Sequence, residues 1–236
     1  MRDSWRHFAA EFIGIFALVF VGGATIMSAT LSRSSYILLS AAIAHGLILA
    51  IMVTATMRIS GHLNPAVTIG FLVTRRIEPM MGMLYIVAQL LGAVVAAYAL
   101  KWIFPHALGI DTRLGGQAIA IDVSMAQAIV CEAIATFFLV FTVFATAVDP
   151  HAPKVGGFAI GLTVAADILA IGPLTGGSMN PARSFGPAIA SGIFEGQVVF
   201  WVGPILGGIV AALLYDALFL RRGKDPVDHG AVDPRG

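Results

Sequence analysis

The tripeptide Asn-Pro-Ala occurs twice in this chain, and its residue types suit both a helix start and a polar binding site. The two copies are Asn64, Pro65, Ala66 and Asn180, Pro181, Ala182. Asn caps a helix through its side-chain oxygen and Pro suits the first helical position, so each copy alone is compatible with an ordinary cap. An Asn that caps in this way keeps its amide NH₂ donors for another partner. Two such groups at matching places predict one shared polar site.

The helix dipole decides what such a site accepts. Two helix N-termini that face each other each contribute about half a positive elementary charge. A small neutral molecule can present an oxygen to both Asn amides, whereas a cation meets a positive potential and loses its hydration. The pair therefore predicts a barrier against cations.

The elements that position these residues are predicted to be membrane helices. The 236-residue chain is 58% hydrophobic and 11% charged, with a mean hydropathy of +0.90, whereas soluble domains are about 25% charged. Six apolar stretches long enough to cross a hydrocarbon core lie at 8–29, 36–57, 80–101, 125–148, 155–172 and 198–220. The net charge of +1 does not indicate nucleic-acid binding, and the single cysteine, Cys131, leaves no disulfide framework and no cysteine zinc site.

Two further apolar runs are too short to cross a membrane. They are predicted as half-helices at 65–74 and 181–193, each opened by one Asn-Pro-Ala motif. At about 1.5 Å per residue, each reaches roughly halfway across the hydrocarbon core. Backbone at that depth is tolerated where it lines a cavity or is enclosed by protein, so the half-helices indicate a functional site.

Arg183 follows the second motif directly and breaks two local rules. It lies in the first turn of a half-helix, where the dipole disfavours a cation. A charge at membrane depth also costs about 2.5 kcal/mol or more unless it faces water or a partner. Lining a pore would satisfy it; the alternative is a side chain that reaches the outer interface.

The chain repeats itself with the two motifs at equivalent places. Residues 10–20 (AEFIGIFALVF) align with 131–141 (CEAIATFFLVF), and 89–97 align with 204–212. Each half holds three spans and one half-helix, and an odd number of spans inverts the second half relative to the first. Inverted repeats place the functional site where their broken helices meet.

The repeat also predicts how the chain is organised. We expect a first repeat at 1–104, an extracellular connecting loop at 105–124, a second repeat at 125–220 and a cytoplasmic tail at 221–236, all forming one channel domain. Ten of the fourteen Lys and Arg residues lie on one set of loops and ends, which predicts that both termini are cytoplasmic.

These stretches resemble the aquaporins of the major intrinsic protein family over nearly the whole chain. The resemblance rests on AEFIGIFALVF, SGHLNPAVTIG, AQLLGAVVAA, CEAIATFFLVF, GPLTGGSMNPARSFGPA and FWVGP. It implies an all-α integral membrane fold with six transmembrane helices and two re-entrant half-helices. It also implies a homotetramer in the cell membrane, each protomer forming a passive water channel that excludes protons and ions without a cofactor. Glu11 and Glu132 would brace the half-helix loops; a general packing role is the alternative.

The resemblance further points to a constriction formed by four residues: His45, Ile168, Gly177 and Arg183. The position on the second span is Ala44 by the usual spacing, or His45 if the loop reading ISGH lacks one residue, and we favour His45. Gly177 has no side chain, so the constriction gains width and a backbone carbonyl is exposed. This set is similar to that of some plant vacuolar channels that also pass ammonia. We therefore expect the pore to conduct water and, more slowly, ammonia or another small neutral solute.

Two other functions stay open at this point. Glycerol facilitators of the same fold typically have Asp after the Arg, and Ser184 stands there. A secondary transporter would need midplane carboxylates for coupling ions, and Asp167 is the candidate. An ionised Asp in a span is costly, so Asp167 either pairs with an arginine or lies protonated against a neighbouring helix. An enzyme is not indicated, because the chain has no clustered metal ligands, nucleophile–base pair or phosphate-binding glycine loop.

Overall fold

The computed structural model describes residues 4–153 and 155–220, and every regular element in them is a helix. The helices are α1 (Ser4–Leu31), α2 (Ile37–Thr56), α3 (Pro65–Val73), α4 (Pro79–Ile103), α5 (His106–Asp111), α6 (Met125–Val143), α7 (Phe158–Thr175), α8 (Pro181–Ser191) and α9 (Gln197–Tyr215). Single π-helical turns continue α6 and α9. Six of the helices, α1, α2, α4, α6, α7 and α9, are long and apolar enough to cross a membrane. The predicted all-α membrane fold is thereby confirmed, while the predicted tail at 221–236 lies outside the described residues.

The ends of the spans differ from the predicted ones by a few residues. The first span begins at Ser4 instead of residue 8, because its polar first turn continues the helix beyond the apolar stretch. The fifth span is displaced from 155–172 to Phe158–Thr175. Gly176, at a φ angle of 83°, follows the last residue of that helix, and left-handed backbone of this kind ends a helix.

The half-helices begin at the predicted residues and end slightly earlier. Pro65 and Pro181 occupy the first helical positions of α3 and α8, where a missing N–H costs no hydrogen bond. α3 has 9 residues and α8 has 11, so neither can cross a hydrocarbon core. Gly192, at a φ angle of 79°, ends α8.

The segment between the repeats contains regular structure that the sequence did not indicate. Besides α5, it forms a 3₁₀ turn at Arg113–Gly115. This turn lies against the first span: a Cβ atom added to Gly115 would lie 2.4 Å from the Cα atom of Gly23. Because the segment is packed on the bundle, it can carry side chains toward the site.

The helices pack as two similar halves around a shared seam. α1 packs on α4 and α6 packs on α9, while α2 of the first half packs on α7 of the second. At that seam a Cβ atom added to Gly46 would lie 2.6 Å from the carbonyl oxygen of Gly161, and one added to Gly161 would lie 2.2 Å from that of Gly46. Such reciprocal close approach requires glycine on both helices.

Candidate functional site

Both Asn residues of the motifs cap their half-helices. The side-chain oxygen of Asn64 accepts the N–H of Ala66 at 2.9 Å. That of Asn180 accepts the N–H groups of Ala182 and Arg183 at 3.1 and 3.3 Å. Each cap satisfies backbone donors that a helix start otherwise leaves unpaired. The oxygen of each side chain is thus occupied, and its NH₂ group points away from its own helix.

The two NH₂ groups join the half-helices to each other. Nδ2 of Asn64 donates to the carbonyl oxygen of Met179, and Nδ2 of Asn180 donates to that of Leu63, both at 2.8 Å. Leu63 and Met179, the residues before each Asn, both have left-handed backbone, with φ angles of 50° and 53°. Each NH₂ group has a second hydrogen that these bonds do not use.

Glu11 holds the loop that leads into α3. Its carboxylate is fully buried and accepts four hydrogen bonds. Three come from the backbone N–H groups of Gly61, His62 and Leu63, at 3.0, 2.8 and 2.7 Å. The fourth comes from the side-chain amide of Gln89, at 2.6 Å. A buried carboxylate needs such donors, and the loop needs an acceptor because its N–H groups face no other backbone carbonyl.

Glu132 holds the loop before α8 in a similar way. This carboxylate is also fully buried. It accepts the N–H groups of Ser178 and Met179 at 2.9 and 2.7 Å and the hydroxyl of Thr175 at 2.7 Å. Glu11 and Glu132 lie at matching positions of α1 and α6, so each half positions its own half-helix loop.

A narrow cavity runs past the two Asn tips. Polar groups of His45, His62, Asn64, Asn180 and Arg183 line it, and most of the remaining wall is apolar. The arrangement offers a few hydrogen-bonding groups along an otherwise apolar path.

Arg183 is held beside this cavity by one predicted and one unpredicted residue. Its Nη1 atom donates to the carbonyl oxygen of Gly177 at 2.8 Å. The side-chain amide of Gln117 is oriented with its oxygen toward the guanidinium, and this oxygen accepts a hydrogen bond from Nη2 of Arg183 at 3.3 Å. In the same orientation, the amide nitrogen of Gln117 donates to the Ser184 hydroxyl at 2.7 Å. Sequence reasoning missed Gln117, although a lone Gln inside the apolar run GGQAIAI was an available signal.

The structure places His45, and not Ala44, in the lining of the cavity. His45 is 1% exposed, and its Nδ1 atom lies 2.7 Å from the carbonyl oxygen of Ala41. Since a carbonyl only accepts, Nδ1 carries a hydrogen, and Nε2 of the neutral ring is an acceptor. A Cβ atom on Gly22 would come within 2.1 Å of Nε2, so that glycine makes room for the ring.

Ile168 and Gly177 contact each other next to Arg183. Ile168 is buried, and a Cβ atom added to Gly177 would lie 3.2 Å from its Cα and Cγ1 atoms. Gly177 has a φ angle of 58°, which a residue with a side chain rarely adopts. Of the four predicted constriction residues, the narrow cavity itself is lined by His45 and Arg183.

Asp167 forms no hydrogen bond or ion pair with these groups in the described residues. The side chain is half-buried on α7, and its buried Oδ2 atom has no hydrogen-bond partner in the described residues. No arginine pairs with it within that part of the chain. The described residues also contain no group of three His, Cys, Asp or Glu side chains that could hold a metal ion.

Comparison with known proteins agrees with this geometry. The Major intrinsic protein family matches residues 1–215. Aquaporin TIP2-1 of Arabidopsis thaliana is 43% identical over 226 residues, covering 92% of this chain and 88% of that protein. Aquaporin TIP2-3 of Zea mays is 44% identical over 227 residues, covering 92% and 89%. The crystal structure of the aquaglyceroporin from Plasmodium falciparum is 27% identical, with a TM-score of 0.76 over 91% of this chain and 96% of that one.

These findings confirm the predicted family and the predicted kind of function. The six membrane-spanning helices and the two short half-helices agree with a membrane channel of this family. The chain belongs to the major intrinsic protein family and is a passive water channel, not an enzyme.

Proposed function

We propose that water crosses this protein in single file and turns its oxygen toward both Asn tips at the midplane. The observation that carries this proposal is the reciprocal pair of hydrogen bonds from Asn64 and Asn180 to the opposite loop. It aims the remaining amide hydrogens and both positive helix ends at one point. Protons and cations meet a barrier there, while neutral water passes.

His45 and Arg183, with Gly177 and Ile168 beside them, form the constriction that selects among neutral solutes. It offers donors from Arg183 and acceptors from Nε2 of His45 and the Gly177 carbonyl. Ammonia can donate to such acceptors as water does, and Gly177 presents no side chain against it. The pore therefore conducts ammonia more slowly than water, and Ser184 supports water over glycerol as the main permeant.

We further propose a homotetramer in the cell membrane, with one pore per protomer and both termini in the cytoplasm. The excess of Lys and Arg on one set of loops supports this orientation. In each protomer Glu11 and Glu132 brace the loops before the half-helices, as their hydrogen bonds suggest. The repeats at 1–104 and 125–220 then act as one channel domain.

Stopped-flow light scattering of proteoliposomes tests the function. Osmotic shrinking should be much faster than in empty liposomes and should have a low activation energy. Uptake of ammonia should exceed that of empty liposomes, and uptake of glycerol should not. Water flux at the lipid rate would favour a secondary transporter, and fast glycerol entry would favour a glycerol facilitator.

A further inference from the structure

A cleft with basic walls opens at one end of the bundle, between the start of α1 and the end of α2. The described residues that line it are Arg6, His7, Ala55, Arg58 and Ile59, and none of them is acidic. Its volume is about 850 Å³, including the open mouth. Arg6 and Arg58 are exposed, so a ligand can reach both side chains from outside the bundle. We call this site the basic cleft.

Side chains, and not helix dipoles, give the basic cleft its charge. α1 begins at Ser4 and α2 ends at Thr56, so the positive end of one dipole lies beside the negative end of the other and their fields oppose each other. Within residues 4–153 and 155–220, the Arg58 guanidinium forms no ion pair or hydrogen bond. Arg6 contributes a second guanidinium from α1. Two guanidinium groups on separate elements can therefore bind one anion together.

His7 is held in place by contacts inside the bundle. Its Nδ1 atom lies 2.7 Å from the hydroxyl oxygen of Tyr85 on α4, and the two rings are stacked with their centroids 5.8 Å apart. Tyr85 in turn packs against the ring of His62, with a distance of 5.0 Å between the centroids. When the Tyr85 hydroxyl donates to Nδ1, Nε2 of His7 carries the ring hydrogen and can donate it to an anion. A donor that is already oriented loses less conformational freedom when a ligand binds.

A phosphate group matches this set of donors. The planar guanidinium of arginine forms paired hydrogen bonds to phosphate oxygens. Because the oxygens of a phosphate group are arranged in a tetrahedron, two guanidinium groups and an imidazole can approach it from different directions. A carboxylate has two oxygens in one plane, so it can satisfy fewer of these donors at once. The donor set of the basic cleft therefore favours phosphate over carboxylate.

The position of the basic cleft allows two sources of that phosphate. The cleft lies at the ends of two membrane spans, α1 and α2, which is the depth of lipid headgroups. Trp5, next to Arg6, is 70% exposed, and tryptophan is enriched at membrane interfaces. Basic pockets between membrane helices on the cytoplasmic side bind anionic headgroups, and both termini are proposed to lie on that side. The open mouth also admits a soluble phosphate.

We propose that the basic cleft binds the phosphate group of an anionic ligand, with Arg6 and Arg58 on its oxygens and His7 donating from Nε2. The phosphate belongs either to an anionic phospholipid headgroup or to a soluble phosphate. None of these three side chains lines the narrow cavity past the Asn tips. The site is therefore separate from the pore, and it does not depend on which solutes the pore conducts.

Thermal unfolding of the purified full chain in detergent tests whether the site exists. A ligand that binds only the folded state raises the unfolding temperature. Phosphatidylglycerol in mixed micelles, or inorganic phosphate at constant ionic strength, should raise it, whereas phosphatidylcholine and chloride should not. A shift with phosphatidylglycerol alone identifies a lipid headgroup as the source, and a shift with inorganic phosphate identifies a soluble phosphate. No shift with either ligand would overturn the proposal.

A matched pair of arginine variants tests the location of the site. Arg58→Gln should weaken the apparent affinity for the active ligand on the order of tenfold, because charge-assisted hydrogen bonds are lost. Without ligand it should unfold at the same temperature as the unchanged chain, since Arg58 has no partner within the described residues. Arg75→Gln removes another exposed arginine, after α3 and outside the cleft lining, and should bind like the unchanged chain. Equal losses in both variants, or unchanged binding in Arg58→Gln, would overturn the site.

Discussion

The loops before α3 and α8 have one architecture but different charges. In each loop a carboxylate from the first span of that half accepts the loop N–H groups, and a left-handed residue precedes the capping Asn. Three residues after the Asn, however, the first half-helix has Val67 and the second has Arg183. The symmetric parts position the two loops, and we expect the asymmetric residue, Arg183, to select which solutes enter.

The comparison also shows how tightly each loop is held. Glu11 accepts four hydrogen bonds, one of them from Gln89, whereas Glu132 accepts three, one of them from the Thr175 hydroxyl. Three of the donors to Glu11 are backbone N–H groups, which cannot become acceptors, whereas only two of the donors to Glu132 are of this kind. The first loop therefore depends more strictly on a carboxylate.

The largest expected effect follows from replacing these carboxylates by amides. In Glu11→Gln and Glu132→Gln one N–H group of the loop faces an NH₂ group, at a cost of about 1–3 kcal/mol for each donor left unpaired. Both variants should unfold at lower temperature in detergent, as followed by circular dichroism, and Glu11→Gln should lose more. A larger fall in the unfolding temperature for Glu132→Gln than for Glu11→Gln would show that the number of donors to the carboxylate does not decide how much each loop contributes to stability.

The second effect tests the charge asymmetry. Arg183→Val gives the second half-helix the residue that the first has at Val67, and removes the guanidinium bonded to Gly177. Entry of glycerol should rise on the order of tenfold, while water permeability changes little, as measured by stopped-flow light scattering. Arg183→Lys is the control: it keeps the charge but loses the planar fork, so its glycerol entry should rise less. Unchanged selectivity between water and glycerol in Arg183→Val would show that the constriction lies elsewhere in the pore.

A smaller effect is expected at the two caps. Asn64→Ala and Asn180→Ala each remove a cap, which costs about 1 kcal/mol, and one bond between the half-helices. Asn180 caps two N–H groups and Asn64 caps one, so thermal unfolding should shift more in Asn180→Ala. Both should leak protons measurably in liposomes that contain a pH-sensitive dye. Equal unfolding shifts would mean that the bonds between the loops outweigh the caps.

The smallest effect is expected for mercurials, which react with cysteine thiols. Gly177, which we propose as part of the constriction, has no thiol group, and Cys131 is half-buried on α6, outside the lining of the cavity. Mercurials should therefore leave water flux largely unchanged in proteoliposomes. Strong block that a thiol reductant reverses would show that Cys131 reaches the pore, and Cys131→Ser would then abolish the block.

The sequence predicts the spans, the half-helices and their family because those features depend on apolar length and on a repeated motif. It does not predict Gln117, because that residue reaches Arg183 through the packed connecting segment, and no helical period marks the contact. The choice between Ala44 and His45 also depended on a loop length that only a three-dimensional path resolves. The sequence indicates that a carboxyl group at Asp167 is unfavourable within a span. It does not predict which groups of the neighbouring helix lie next to this side chain.

The reciprocal bonds at the Asn tips have a consequence for biosynthesis. The side-chain amide of Asn64 donates to the carbonyl oxygen of Met179, and the carbonyl oxygen of Leu63 accepts from the side-chain amide of Asn180. More than a hundred residues separate these partners along the chain. A nascent first half therefore carries unpaired polar groups into the membrane until the second half has been made. The two halves mature together, and a truncated chain that ends before Met179 should be a substrate for quality control.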